Sequence, residues 1–250
     1  METLKEFISI ITPKTIAVCS LSILATVVCV ENNLSAEIPV SLIGLTVVFP
    51  LVFTIAASFN RRDLALQQYG RITANLSSIF MTAEYHQQRD PKQKYCDLRA
   101  LRQTIMRLLE LIKLDLIDSS SSTVKKTEIY QQFRFLFSNA LPLKPVCNVD
   151  FFLTDTIACY ETLSSISDYR TPRGLKAYSK IFLTIFPVIF APYFASISQE
   201  LYISGLVVSF FYSFVLTMLS NVQDNLENPF DNKGLDDLNF DRENRFLNSI

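Results

Sequence analysis

The stretch from Ile38 to Ser58 constrains this chain more than any other, because it contains no charged side chain over 21 residues. A helix that crosses the hydrocarbon core of a bilayer needs about 17–25 apolar residues, so this stretch is long enough to span a membrane. Pro50 falls in its middle, and Arg61, Arg62 and Asp63 come soon after its end. A membrane helix tolerates a central proline where neighbouring helices or cavity water satisfy the freed carbonyl. The sequence therefore predicts a membrane helix with such a neighbour or cavity, leading into a charged segment.

Three other stretches are also free of charge, namely Thr15–Val30, Ile181–Ile197 and Leu201–Leu219. The first two of these are short for a span, but Lys14 and Lys180 at their ends can extend toward the interface and lengthen them. Buried helices of a soluble protein are the alternative, and four uncharged stretches of this length argue against it. We therefore predict an all-α membrane protein with four transmembrane helices, arranged as two hairpins.

The basic residues predict how the hairpins are oriented. Between Arg61 and Lys180 lie 18 of the 23 Lys and Arg residues, whereas the loops Glu31–Glu37 and Ser198–Glu200 contain none. Basic residues near membrane ends favour the inner side, so both termini and the middle segment are expected to be cytoplasmic. A cleaved signal peptide around the first stretch is a weaker alternative, because the leader carries acidic residues such as Glu2 and Glu6.

The sequence divides into five segments by charge and hydrophobic pattern. Residues 1–14 form an N-terminal inner segment, 15–60 the first hairpin, 61–180 a helical cytosolic body, 181–220 the second hairpin and 221–250 a short tail. Apolar residues at helical spacing predict the helices of the body. Those helices are Asp63–Gln88, Asp97–Ile117, Val124–Asn139 and Asp150–Ser167.

The sequence lacks the features that are usual for several classes of function. The five cysteines are scattered without a CxxC pair, and His86 has no Cys or His nearby, so we expect reduced packing cysteines and no metal site. No glycine-rich phosphate loop and no nucleophile–base arrangement is present. We expect no enzyme activity, no cofactor and no nucleic-acid partner.

The second predicted span carries an apolar series at a spacing of four residues. Leu45, Phe49 and Phe53 stack on one face of a helix, and Ala57 and Arg61 continue that face. From the pattern alone, the main alternative is that the two Phe side chains face lipid or pack between helices.

Several short motifs stand at defined spacing along the chain. They are Leu42-Ile43-Gly44, Val52-Phe53, Ala57-Ser58-Phe59-Asn60-Arg61, Thr171-Pro172, Ala177-Tyr178-Ser179, Asn228-Pro229-Phe230, Asp237-Leu238 and Asp241. These motifs resemble those of the bestrophin family of pentameric ion channels. Their order and spacing match across residues 10–245, as do two terminal hairpins flanking a helical body. The two Trp that follow the family's Arg are replaced by Arg62 and Asp63, so the chain is similar to distant members, closer to the bacterial and plant type than to the animal type.

The resemblance implies that the second span lines a pore on the axis of a homopentamer in a lipid bilayer. Leu45, Phe49 and Phe53 would form the hydrophobic neck, with Ala57 and Arg61 at the inner end of the pore. The implied function is passive conduction of small inorganic ions, with chloride or bicarbonate favoured. The alternatives are a cation-permeable member and a non-conducting scaffold or sensor with the same fold. For Arg61, ordinary inside-positive flanking is an equal alternative.

The tail motif Asn228-Pro229-Phe230 precedes a group of acidic residues. Animal members of the family bind calcium with a dense acidic run at this place, and here the weak candidates are Asp231, Asp236 and Asp237. Calcium needs six to eight converging oxygens, so a solvated acidic turn is the favoured interpretation and no metal is predicted.

Overall fold

The computed structural model describes residue 7 and residues 10–37, 40–89, 96–118, 122–143, 148–169, 173–199, 201–231 and 237–244. Within its helices, side chains are not described for residues 40–48, 50, 122–124, 141, 173, 175, 176, 179, 242 and 243. The described residues form α-helices and one 3₁₀ turn, Leu141–Leu143, and contain no strand. The helices are α1 (Pro13–Glu31), α2 (Val40–Arg89), α3 (Leu98–Ile117), α4 (Ser122–Ala140), α5 (Val149–Asp168), α6 (Arg173–Ile189), α7 (Ala191–Ile197), α8 (Tyr202–Leu226) and α9 (Phe240–Glu243).

The chain folds into two compact units. The first comprises Met1–Asn60 and Thr171–Glu227 and is called the apolar unit here; the second comprises Arg61–Arg170 and Asn228–Ile250 and is called the body. The sequence placed the return to the membrane at residue 181 and treated the tail as a separate segment. In the structure, α6 already begins at Arg173, and the tail after Glu227 belongs to the body.

Helix α2 runs without interruption for 50 residues. The sequence predicted a span ending at Ser58 and a separate helix over Asp63–Gln88, whereas the structure joins them. Pro50 does not end the helix, because a proline blocks only the hydrogen bond of its own nitrogen and crowds the preceding turn. No further proline occurs between Pro50 and Pro91, and the charged residues after Asn60 are compatible with a helix.

Among the described residues of the apolar unit, two helices are long and apolar enough to cross a membrane. They are Pro13–Glu31 and Tyr202–Leu226, and the bent pair Lys180–Ile189 and Ala191–Ile197 is a third if it forms one span. The bend of 41° lies between α6 and α7. Pro187 lies inside α6 and Pro192 lies in the first turn of α7, so two backbone donors are missing around the break.

Small polar side chains connect the helices of the apolar unit. The Oγ atoms of Ser22 on α1 and Ser209 on α8 lie 2.8 Å apart, and Thr26 Oγ1 donates to Ser209 Oγ at 3.0 Å. Ser22 Oγ also donates to the carbonyl of Pro187 at 3.1 Å. Further along, Asn221 Nδ2 donates to the hydroxyl of Thr15 at 2.9 Å. We call Thr15, Ser22, Thr26, Ser209 and Asn221 the polar seam; all five are buried.

The body is built around the apolar faces of α3, α4, α5 and the second half of α2. On α3, all six residues expected from the spacing are buried: Leu101, Ile105, Leu108, Leu109, Ile112 and Leu116. Helix α3 begins at the cap Asp97, which accepts a bond from Arg99 N, and α5 begins at Asn148, which accepts from Phe151 N. Of the cysteines, Cys19, Cys29, Cys96 and Cys159 are not in disulfides, and Cys147 lies outside the described residues.

Candidate functional site

The part of α2 that lies in the apolar unit has one buried face and one exposed face. Leu51 and Thr54 are buried, and Leu51 packs in a cluster with Leu183 and Leu216. Phe49 and Phe53 are each 57 % exposed. Among the described residues, each of these two rings has the other as its aromatic partner, and more than half of each side chain stays uncovered.

The two exposed rings form a pair along the helix. Their centroids lie 4.7 Å apart and their planes meet at 81°, an edge-to-face contact between residues one turn apart. Ala57 is also exposed, as the spacing predicts for a continued face. The backbone of Leu45 is helical, but its side chain lies outside the described residues. Val52 is 55 % exposed as well, so the uncovered surface is wider than the predicted stripe.

Arg61 is engaged with the end of a helix in the body. Its Nη2 donates to the carbonyl of Ile166 at 2.8 Å and to the carbonyl of Tyr169 at 2.6 Å. These carbonyls lie at the C-terminus of α5, where the helix dipole places partial negative charge that a cation stabilises. Local sequence patterns could not predict this contact, since residues 61 and 166 are far apart along the chain. The placement of Arg61 at the inner end of a pore remains a prediction.

The motif Asn228-Pro229-Phe230 anchors the tail to the body. Asn228 Oδ1 accepts a bond from Phe230 N at 3.4 Å, and the carbonyl of Pro229 accepts from Leu238 N at 2.8 Å. Phe230 is fully buried and stacks with Phe240, their centroids 6.4 Å apart. The motif therefore forms a turn that returns the chain to the buried core of the body.

The acidic residues of the tail do not gather into a described metal site. Asp231 and Asp237 are half-buried, Asp236 lies outside the described residues, and Asp241 pairs with Lys113 at 3.0 Å. Among the described residues, no group of three His, Cys, Asp or Glu side chains is placed to hold a metal ion. Two further motif positions, Thr171-Pro172, also lie outside the described part of the chain.

The body contains a cluster of polar side chains that the sequence patterns did not predict. Arg71 on α2 donates to Asp155 Oδ1 on α5, and Asn75 Nδ2 donates to Asp155 Oδ2 at 2.8 Å. Arg71 is 55 % exposed at its side chain, Asp155 is 19 % exposed and Asn75 is buried. The residues 71 and 75 share a helix face by their spacing of four, but only the tertiary fold brings Asp155 to them.

A second polar group lies inside the body, on α3 and α5. Asp115 is buried; its Oδ2 accepts a bond from the Tyr160 hydroxyl at 2.9 Å, and its Oδ1 has no hydrogen-bond partner. Burial raises the pKa of the Asp115 carboxyl, and the Tyr160 bond and Lys126 oppose that shift. Burial also raises the pKa of Tyr160, with the Asp115 charge adding to it. Lys126 itself pairs with Asp168 at 3.0 Å.

Comparison with solved structures reveals close likeness of fold at low sequence identity. A variant of a bacterial bestrophin homolog from Klebsiella pneumoniae matches with a TM-score of 0.75 and 14% identity, over 94% of this chain and 97% of that chain. Another variant of it matches with a TM-score of 0.77 and 14% identity, over 94% of each chain. A structure described as a membrane protein matches with a TM-score of 0.75 and 15% identity, over 95% of this chain and 97% of that chain. No family model and no curated protein matches the sequence.

Proposed function

We propose, starting from the bestrophin-like fold of this chain, that it forms a homopentameric passive ion channel that conducts small anions such as chloride or bicarbonate. Solved structures of bestrophin homologs share the fold of this chain, and the sequence motifs resemble the motifs of the same family. The number five comes from that resemblance, and physics adds the preference of membrane and soluble oligomers for closed symmetry. Both termini and the body would face the cytoplasm, as the basic residues favour.

The observation that carries the proposal is the exposed Phe49–Phe53 pair on a helix whose other face is buried. Within the single chain these rings are not packed into a core, so they face a second chain, the axis of an assembly or lipid. In a ring of five chains, the same face of α2 turned inward would form an apolar collar. Leu45, one turn above Phe49, would supply its third layer.

Such a collar has a physical consequence for conduction. An ion that enters a narrow ring of Leu and Phe side chains loses hydration and gains no polar replacement. The collar therefore gates by dewetting, since a small change in width decides whether water fills it. Selectivity for anions would come from charges elsewhere along the path, because the collar itself carries none.

The deciding experiment measures current through planar bilayers that contain the purified protein, with unequal chloride on the two sides. The parent should conduct, and its reversal potential should have the same sign as the equilibrium potential of chloride. Phe49→Ala with Phe53→Ala widens the collar, which should stay wet more easily and give larger or leakier currents. If the rings instead pack against a neighbouring chain, each truncation leaves a cavity costing roughly 3–5 kcal/mol, and assembly and current should fall.

The control for the collar variant is Phe210→Ala with Phe211→Ala on α8. Phe211 is as exposed as the collar rings, at 58 %, and Phe210 stacks with Phe214. This control should not become leaky. A parent that assembles and carries no current would contradict the channel and favour a scaffold with the same fold. A collar variant that assembles and conducts like the parent would show that this face does not line the pore.

A further inference from the structure

We propose that the apolar unit contains a binding site for a primary ammonium group, at the point where α1 ends and α7 leads into α8. The site is a cavity of about 300 Å³ that is lined by residues of two chain segments, 29–35 and 195–199. All of these residues belong to the apolar unit, so the site does not depend on whether the protein conducts ions. Three features of the cavity support this assignment: its fixed walls, its polar lining and the charge around it.

Hydrogen bonds between the two hairpins hold the walls of the cavity in place. Gln199 Nε2 donates to Ser35 Oγ at 3.3 Å, and Ala36 N donates to the carbonyl of Pro192 at 3.2 Å. In the loop after α1, Asn33 adopts a left-handed φ of 53°, which asparagine tolerates better than most residues. The volume lies at the lower end of the range of ligand pockets, about 300–1,000 Å³. Such a cavity suits a small organic molecule rather than a bare metal ion.

The lining of the cavity combines oxygen acceptors with some apolar surface. Asn33, Ser35, Ser198 and Gln199 contribute amide and hydroxyl oxygens that accept hydrogen bonds, and Leu34 contributes apolar surface. An ammonium group donates three hydrogen bonds and accepts none, so it needs several such oxygens around it. The apolar part of the lining suits the carbon chain of an alkylamine.

The charge around the cavity favours a cation over an anion. The 19-residue helix α1 ends at the cavity, and the last carbonyls of a helix carry partial negative charge. Glu31 and Glu37 are exposed in the loop that follows, whereas residues 31–37 and 198–200 include no Lys or Arg. Hydroxyl and amide groups alone bind ligands of either sign, so it is this negative field that selects the ammonium group.

Two sources supply this chemistry at such a place. Helix α1 is long and apolar enough to cross a membrane, and the cavity lies at its end, where lipid headgroups meet water. The ligand is therefore either a dissolved alkylamine or the headgroup of phosphatidylethanolamine, which carries the same primary ammonium group.

The test uses Cys29, which lines the cavity, as a reporter in the full chain. The neutral reagent N-ethylmaleimide modifies accessible thiols, and mass spectrometry of the detergent-solubilised protein gives the rate at Cys29. Butylammonium should slow this rate in a saturable manner, by about tenfold at roughly ten times its dissociation constant. Butan-1-ol and butanoate have nearly the same size but are neutral and negative, so neither should protect Cys29 at that concentration.

Three results of this measurement would contradict the site. They are equal protection by butanoate, no protection by butylammonium, and a Cys29 thiol that the reagent does not reach at all.

Vesicles of phosphatidylcholine, with and without phosphatidylethanolamine, distinguish the two sources of the ammonium group. A headgroup ligand should slow the modification of Cys29 in the mixed vesicles and leave little further effect for butylammonium. A dissolved ligand should give equal protection by butylammonium in both kinds of vesicle. Absence of protection in every arm would contradict the site.

A charge variant tests the negative field. Glu31→Gln with Glu37→Gln removes both carboxylates of the loop, so the butylammonium concentration for half protection should rise about two- to fivefold. The control is Glu84→Gln on α2, which makes the same kind of change in the body and should leave that concentration unchanged. An unchanged value in the double variant, or an equal rise in the control, would contradict a local selection of the cation.

A filling variant tests the cavity itself. Ser35→Phe places a ring in the cavity, so butylammonium should no longer protect Cys29. The control is Ser138→Phe on α4, because Ser138 is exposed like Ser35 but lies in the body. Full protection in a folded Ser35→Phe variant would contradict binding in this cavity. If Ser35→Phe does not fold, the charge variant still decides the inference.

Discussion

The apolar unit and the body are both helical where described, yet different interactions hold them together. In the body, one buried apolar cluster draws on α2, α3, α4, α5 and the tail. In the apolar unit, a small buried apolar cluster contains Leu51, Leu183 and Leu216, and the polar seam joins α1 to α8 by hydrogen bonds. The first pattern is that of a protein in water and the second is that of a protein in lipid.

The difference follows from the two solvents. Water drives apolar side chains together, so the body gains stability from each Leu or Ile that it buries. Lipid is as apolar as those side chains and gives no such gain, so membrane helices associate through close packing of small residues and hydrogen bonds between helices. Exposure of Leu24 and Val28 on the surface of α1 therefore costs no free energy in lipid, whereas Leu108 is stabilised by its burial in the core of the body.

The largest effect should come from a cavity in the body. Leu108 is fully buried, so Leu108→Ala should lower the free energy of unfolding by about 2–5 kcal/mol. Leu24, which is 61 % exposed on α1, is the matched residue of the apolar unit, and Leu24→Ala should change stability by less than about 0.5 kcal/mol. Unfolding of the detergent-solubilised protein by heat or denaturant measures both. Equal losses in the two variants would show that the two units are not stabilised differently.

A smaller effect should distinguish two glycines that both lie inside helices. A Cβ at Gly205 on α8 would lie 2.1 Å from the carbonyl oxygen of Phe194 and 2.0 Å from Ser198 Oγ, so the backbone would have to move. Gly205→Ala should destabilise the apolar unit by about 1–3 kcal/mol, as overpacking does.

Gly70 on α2 is the control for that substitution. A Cβ there would meet nothing within 4 Å, so Gly70→Ala should stabilise the body by roughly 0.5–1 kcal/mol through helix propensity. Opposite signs in the two thermal unfolding shifts are expected. A stabilising Gly205→Ala would contradict the close approach of α7 and α8.

The smallest effect should be a dependence on pH that is confined to the body. Burial raises the pKa of Asp115 in the folded protein, so its contribution favours folding at low pH and is lost as the pH rises through the folded pKa. Asp115→Asn keeps an acceptor for Tyr160 and removes the titration. The variant should be more stable than the parent near neutral pH, and the difference should shrink toward about pH 4, where the unfolded carboxyl also protonates. A difference that is constant over this range would contradict the burial of a titrating carboxyl.

The sequence predicted much of the architecture. The all-α, bestrophin-like fold is confirmed by the solved structures that the chain resembles. The six apolar residues of α3 are buried as their spacing required, since a helix with a single apolar stripe has only one way to face a core. The predicted neck residues Phe49 and Phe53 are exposed on α2, and their role as a pore collar stays a prediction.

The amino-acid sequence by itself determined the periodic properties: which segments are long and uncharged, which helical faces are apolar, and where the basic residues concentrate. These depend on residues at most a few turns apart, so local geometry suffices to read them. Only the tertiary structure decided which distant groups meet. It placed Arg61 on the carbonyls that end α5, joined Arg71 and Asn75 through Asp155, and set Gly205 against Phe194. Such contacts depend on how whole helices pack, and the packing angle and depth of a helix are set by many side chains together rather than by any local pattern.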